Sequence, residues 1–209
     1  MNTKEKLTEI FKMFPGIGER QANRFVYFLM TKNNSFTKEF ISLLSSLHNE
    51  TKQCIECFSF FSKNEKNTNI CDTCTDPNTD SSTLLVIERD SDLESIRKSR
   101  IYNGKYFVLG GLVSIVEKNT NKFVRIDELK KRISLEKNKD ENHKLREIIL
   151  AFSLSPQGDH TDFYIRNEIR ILTESFGIKI SSLGKGLSTG TELEYSDNDT
   201  IRNALKNRQ

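Results

Sequence analysis

The stretch CIECFSFFSKNEKNTNICDTC, residues 54–74, holds all four cysteines of the chain as two Cys-x-x-Cys pairs. Two-residue spacing brings two thiolates to one cation, and two such pairs complete a tetrahedron. Thirteen residues separate the pairs, a short but workable loop for a zinc ribbon. Cys54, Cys57, Cys71 and Cys74 are therefore read as ligands of one structural Zn2+, because four protein sulfurs leave no position for water or substrate. Two disulfides are the alternative, and they need an oxidising compartment. The opening MNTKEKLTEI carries charges and no apolar h-region, so no secretory signal is expected and the location is read as cytoplasmic.

The cysteine module divides the chain. Upstream, Leu7, Ile10, Phe11 and Phe14 recur at helical spacing, and Pro15 ends that helix. Gly16 and Gly18 supply the backbone freedom for a tight turn. A second helix is expected from Glu19, with Ala22, Phe25, Val26 and Leu29 apolar, and a third over about Thr37–Leu47. This is a helix-hairpin-helix pattern, although an ordinary helix pair with a glycine turn has the same outline. Such a hairpin suits phosphate: the backbone of Gly16, Ile17 and Gly18 approaches closely, and N–H groups at the second helix's N-terminus face an anion. Arg20 and Arg24 lie four apart on one helical face and reach neighbouring phosphates. Binding of this kind reads no base sequence, so double- and single-stranded DNA are both expected partners.

Downstream, strands and helices alternate. TLLVIE (83–88) reads as a buried strand, followed by a helix capped by Asp90 or Ser91. Tyr106–Leu109 and Glu147–Phe152 read as further strands, Ile126–Ile133 and about Thr161–Phe176 as helices, and Ile178–Ile180 as a last strand. Alternation of this kind predicts a mainly parallel sheet with helices on its faces. Ligands of such sheets gather beyond the carboxyl ends of the strands, where Glu88, Asp90 and Asp92 fall. Three carboxylates there can hold a divalent cation for phosphoryl transfer, usually with a second acidic pair from a neighbouring strand. Ser153–Asp159 offers only Asp159. Capping and dipole compensation explain Asp90 and Asp92 equally well.

Composition bounds the partners. No apolar run approaches a membrane span, and a net charge of +3 over 209 residues does not by itself demand nucleic acid. Its distribution says more. Arg97–Arg146 carries 14 basic and 6 acidic residues, whereas Thr51–Ile96 carries 4 and 9. Lys130, Lys131 and Arg132 in the basic stretch are candidates for phosphate contact, or simply solvate a helix. No Ser or Cys nucleophile accompanies His160 and Asp159, and no Gly-rich Walker A loop cradles a triphosphate.

FPGIGERQANRF, CIEC…CDTC, LLVIERDSDLESI, GKYFVLGG and GKGLSTGTELEYSDNDTIRNAL occur in that order. This order resembles the RecR family of bacterial recombination mediators over nearly the whole chain. The resemblance implies a multidomain α+β and α/β fold. Its parts are a helix-hairpin-helix domain (1–52), a four-Cys zinc finger (53–76), a Toprim domain (82–176) and a C-terminal assembly segment (177–209). The last carries a Walker-B-like acidic stretch at Glu192 and Glu194. It implies a tetrameric ring that encloses DNA and works with RecO and RecF to load recombinase on gapped single strands, associated with the nucleoid and without catalysis. Glu88, Asp90, Asp92, Asp159, Glu192 and Glu194 become partner or assembly contacts. The rival reading is a Mg-dependent Toprim enzyme of primase or nuclease type using Glu88, Asp90 and Asp92.

The chain also departs from the family. Leu112–Phe123 (LVSIVEKNTNKF) lacks the family's Pro and Asp, and its Glu-Gly-Glu motif is Gln157-Gly158-Asp159 here. The resemblance therefore implies a diverged member whose RecO-docking surface is weakened or altered.

Overall fold

The computed structural model describes residues 1–63, 68–116, 124–138, 144–184, 187, 190 and 192–206. Backbone contacts divide the chain into two units, Met1–Thr51 and Lys52–Gln209.

In the first unit Asn2 caps α1 (Thr3–Lys12). Its side chain accepts the Glu5 N–H at 2.9 Å, and the Glu5 carboxylate accepts the Asn2 N–H at 3.0 Å. That reciprocal pair satisfies two donors the helix start leaves open. The chain then turns through Pro15 and Gly16, whose φ of 75° is the left-handed conformation a side chain disfavours. α2 (Glu19–Met30) packs on α1, with Ala22 and Val26 buried and the Phe11 and Phe25 rings meeting edge-on at 5.5 Å. α3 (Asn34–Glu50) is longer than its apolar spacing suggests, because Asn33 caps it by accepting the Phe36 N–H at 2.9 Å.

The second unit opens with a two-stranded ribbon, β1 (Thr51–Gln53) and β2 (Phe60–Ser62), and a single helical turn, α4 (Asp72–Thr75). There follow β3 (Asp80–Ile87), α5 (Asp90–Ser99), β4 (Gly104–Val108), α6 (Ile126–Ser134), β5 (Glu147–Ala151), α7 (Pro156–Phe176) and β6 (Lys179–Ser182). A 3-10 turn (Leu193–Tyr195) and α8 (Asn198–Lys206) close the described chain. The four later strands form one sheet in the order β4-β3-β5-β6, every pair parallel, as the alternation predicts.

Alternate side chains of a strand point to opposite faces, and here the two faces meet different partners. Leu84 and Val86 join Phe107, Ile148 and Leu150 in a core closed by Leu129 and Ile133 of α6 and Ile165 and Ile169 of α7. Leu85 and Ile87 join Tyr106, Val108 and Leu93 of α5 in a second core, whose remaining members include Cys54, Cys57 and Cys71. The cysteine module thus covers one face of the sheet.

Two helix starts in the second unit differ from expectation. α7 begins at Pro156, five residues before Thr161. Proline at the first helical position loses no needed donor, and Ser155 Oγ accepts the Gly158 N–H at 3.1 Å. Gln157-Gly158-Asp159 therefore forms part of the first turn of α7. Gly158 is required there, since a Cβ would lie 1.9 Å from the Ser153 carbonyl oxygen. α5 has Arg89, not Asp90 or Ser91, at its N-cap; Asp92 supplies the acceptor, taking the Arg89 N–H at 3.0 Å. Among the described residues no helix is long and apolar enough to cross a membrane.

Candidate metal centre and nucleic-acid interface

Cys54, Cys57, Cys71 and Cys74 bring their sulfurs within 4.8 Å of one another. Tetrahedral Zn–S bonds of ~2.3 Å put sulfurs about 3.8 Å apart, and Cys57 Sγ lies 3.6 Å from Cys71 Sγ. All four cysteines are free thiols, so the two-disulfide alternative does not describe this arrangement. The ligand cage is supported from outside. The Cys71 N–H donates to Cys54 Sγ at 3.4 Å, and Ser59 Oγ lies 3.1 Å from Cys57 Sγ. Such outer contacts orient ligands. Hydrogen bonds from neighbouring thiols, Cys57 first, push the Cys54 thiol far below its ordinary range; the same crowding, Cys54 first, pushes Cys74 far above it. Four sulfurs this close cannot all ionise without a cation, and a bound dication removes the conflict. The cluster is suited to hold a metal ion.

The module is fastened to the sheet by contacts that spacing does not reveal. Val108 N–H donates to the Cys57 carbonyl at 2.8 Å. Lys105 Nζ donates to the carbonyls of Cys74 and Thr73 at 3.0 and 3.3 Å, closing the last turn of α4. Glu56, between the first two ligands, pairs with Arg132 of α6 at 3.4 Å. Phe58 adopts φ 60° and sets its ring edge-on to Phe107 at 5.3 Å.

The carboxylates after β3 do not converge on a common point. Glu88 is 8% exposed, and its carboxylate pairs with the Arg89 guanidinium at 2.6 Å. Asp90 accepts the Phe60 N–H of β2 at 2.8 Å, tying the cysteine module to the start of α5. Asp92 is spent on the Arg89 N–H at the helix start. Among the described residues the four cysteines alone form a cluster of metal-ligating side chains. Asp159 lies exposed in the first turn of α7, beyond the neighbouring strand β5. Arg89 is the neighbour of Glu88 that motif reasoning passes over. Its signal in the sequence is an arginine directly after the strand's terminal glutamate.

In the helical unit, Gly18 is the N-cap of α2 and supplies no side-chain acceptor. The first N–H groups of α2 therefore stay open to an external one. The Ile17 N–H is spent inside the turn, on the Phe14 carbonyl at 3.0 Å, so Ile17 contributes shape and no donor. Arg20 and Arg24 are exposed, and neither forms an ion pair among the described residues.

The basic stretch is largely occupied. Lys130 pairs with Glu168, Arg132 with Glu56, and Arg125 donates to the Val108 carbonyl at 2.9 Å. Lys131 is exposed. Residues 117–123 lie outside the described residues, as do residues 185, 186, 188, 189 and 191 of the GKGLSTGTELEYSDNDTIRNAL stretch. Glu192 and Glu194 are exposed at the 3-10 turn before α8.

Comparison with known proteins agrees with this geometry. A model of the Toprim domain matches residues 82–183, the span of the parallel sheet. The chain is 32% identical over 204 residues to "Recombination protein RecR" of Bacteroides thetaiotaomicron, covering 98% of this chain and 92% of that protein. It is 31% identical to the protein of that name from Brachyspira hyodysenteriae, covering 98% and 94%. It is 32% identical over 202 residues to that of Lactobacillus acidophilus, covering 97% and 94%.

Proposed function

The chain belongs to the RecR family of recombination proteins, and from that premise we propose that it is a non-catalytic DNA clamp of recombinational repair. The helical unit grips phosphates through the open N-terminus of α2 with Arg20 and Arg24. The cysteine cluster holds one structural Zn2+ and stiffens the Toprim unit. The protein closes as a tetrameric ring at the nucleoid and works with RecO and RecF to load recombinase on gapped single strands. Domain limits near residues 52, 76 and 176 follow the same reading. The C-terminal segment with Glu192 and Glu194 serves assembly.

One observation carries the DNA reading. A helix of 12 residues starts at a glycine without a side-chain cap, with two exposed arginines on its first turns that form no ion pair among the described residues. Open N–H groups and guanidinium forks favour phosphate together. Self-association is supported by α3, which buries none of its side chains within its unit while Ile41, Leu44 and Leu47 stand exposed. Large exposed apolar faces mark interaction surfaces. Encirclement also explains how two arginines per subunit suffice, since closure replaces tight contact by slow escape.

Magnesium chemistry at Glu88 has less support. The Arg89 guanidinium sits on that carboxylate, and Asp90 and Asp92 are committed to backbone N–H groups. Glu88, Asp90 and Asp92 are accordingly weaker candidates for partner contact than the exposed Asp159.

The test is topological. Purified protein is loaded on nicked circular plasmid and on the same plasmid linearised, then washed at rising salt, with native mass measured in parallel. A clamp stays on the circle and slides off the linear form. Equal loss from both, or failure to capture either in dilute buffer, rejects the proposal.

A further inference from the structure

We propose that the cleft between α4 and the end of α5 is a second phosphate site, in which Arg97 and Arg100 hold the backbone of bound DNA. This rests on the DNA-binding reading above and gives it a contact in the Toprim unit. The cleft measures about 440 Å3. Its lining includes Arg97, Arg100, Tyr102 and Tyr106 together with two carboxylates, Asp72 and Asp76.

Three observations carry the assignment. The first is backbone conformation. α5 ends at Ser99, and Arg100 takes the left-handed cap with φ 55° and ψ 21°. α7 ends in the same conformation, φ 65° and ψ 29°, and there the residue is Gly177. Glycine adopts this cap without steric cost and arginine does not. A strained residue in place of the easy one points to a task for its side chain. The second is pairing. The neighbouring basic stretch commits Lys130, Arg132 and Arg125 to partners in the fold, whereas Arg97 and Arg100 are exposed and form no ion pair among the described residues. Asp76 is turned onto its own loop, accepting the Asn78 N–H at 2.8 Å. The third is position. Arg97 in the last turn of α5 and Arg100 at its cap line the same cleft, so two guanidinium forks are available to one stretch of phosphodiester.

Arg100→Gly tests this by separating strain from DNA contact. Binding of a fluorescent single-stranded 30-mer and of its duplex is measured across a salt series with full-length protein, alongside thermal unfolding. The expected result is a higher melting midpoint for Arg100→Gly together with weaker binding. The slope of log affinity against log salt should fall by about one for each phosphate no longer held by a guanidinium. Arg97→Gln should lower the slope equally, and Arg97→Gln/Arg100→Gly about twice as much. Isotherms that overlay the wild type overturn the inference. So does failure of both variants to bind a decaglutamate peptide with DNA binding intact, which makes the cleft a site for acidic polypeptide. Arg20→Gln/Arg24→Gln is measured in the same series: if it alone weakens binding, only the cleft assignment falls, and if neither set does, the DNA reading falls with it.

Discussion

Val108 donates its backbone N–H to the carbonyl of Cys57 at 2.8 Å. β4 is an outer strand of the parallel sheet, and this bond places the first cysteine pair against its open side. Edge strands are left with unpaired backbone groups that must be covered. Here the cover is the cysteine loop, whose Cys54, Cys57 and Cys71 also belong to the core beneath Leu85 and Ile87. Ligand cage and sheet are therefore one packing unit.

Loss of the cage should then be felt in the sheet. Chelation, or Cys57→Ser, is expected to lower stability by about 3 kcal/mol or more, since structural zinc supplies folding free energy. Amide exchange at Val108 should accelerate with it. Unfolding curves that coincide with and without chelator, and unchanged exchange at Val108, are the contrary outcome.

Gly158→Ala should destabilise for a different reason. The new Cβ meets a backbone oxygen at 1.9 Å, which cannot swing away as a side chain would. Overpacking of this kind costs about 2–3 kcal/mol. Gly16→Ala meets nothing within 4 Å and carries only the strain of φ 75°, so about 1 kcal/mol is expected. Denaturant midpoints of the two variants check both the order and the sizes.

The legible parts of the chain are the local ones. TLLVIE names the central strand because a fully buried parallel strand needs a continuous apolar run. The cysteine spacing locates the metal-ligating set because chelation by adjacent knuckles is itself local. The ends of elements are less legible. Pro156 and Gly158 look like a turn and put the start of α7 near Thr161, yet proline suits a first helical position and the glycine answers a crossing backbone. Contacts between distant residues leave no trace in the sequence: Phe60 with Asp90, Glu56 with Arg132, Lys105 with Cys74. Charge counting likewise does not separate Lys130 and Arg132, which pair within the fold, from Arg97 and Arg100, which form no ion pair among the described residues.

Tyr102 gives a pH signature. Burial pushes its phenol up to about 12, against an ordinary value near 10. Its hydroxyl donates to the Lys105 carbonyl at 3.0 Å and lies 3.2 Å from Thr83 Oγ1. A raised folded-state pKa means stability that is fully present below the unfolded value and lost as pH climbs through the folded one. The protein should therefore weaken between about pH 10 and 12, and Tyr102→Phe should flatten that decline while lowering stability at neutral pH. Burial also raises the Tyr106 phenol, so absorbance titration of phenolate should show a late component from Tyr102 and Tyr106 that shrinks, without vanishing, in the variant.

Arg20 and Arg24 act as charges on an exposed helix face, so their removal should weaken DNA binding without disturbing the fold. Each Arg→Gln change is expected to reduce the salt slope by about one and to weaken binding evenly across sequences. Thermal midpoints should stay at the wild-type value. A variant that bound one sequence normally and another poorly would point to base contacts, which the hairpin reading does not contain.

Glu88 separates the clamp from a magnesium enzyme. Its carboxylate is buried, but the Arg89 partner is 64% exposed, so water screens much of the attraction. Exchanging the carboxylate for an amide should then cost less than about 1 kcal/mol. If Glu88 held a metal for phosphoryl transfer, Glu88→Gln would abolish Mg-dependent nicking or priming outright. If the guanidinium is its working counter-ion, wild type and variant should be equally silent in that assay and equally able to stay on circular DNA. Turnover in the wild type that disappears in Glu88→Gln would mean that Arg89 swings aside to admit the metal, and the non-catalytic reading would have to be given up.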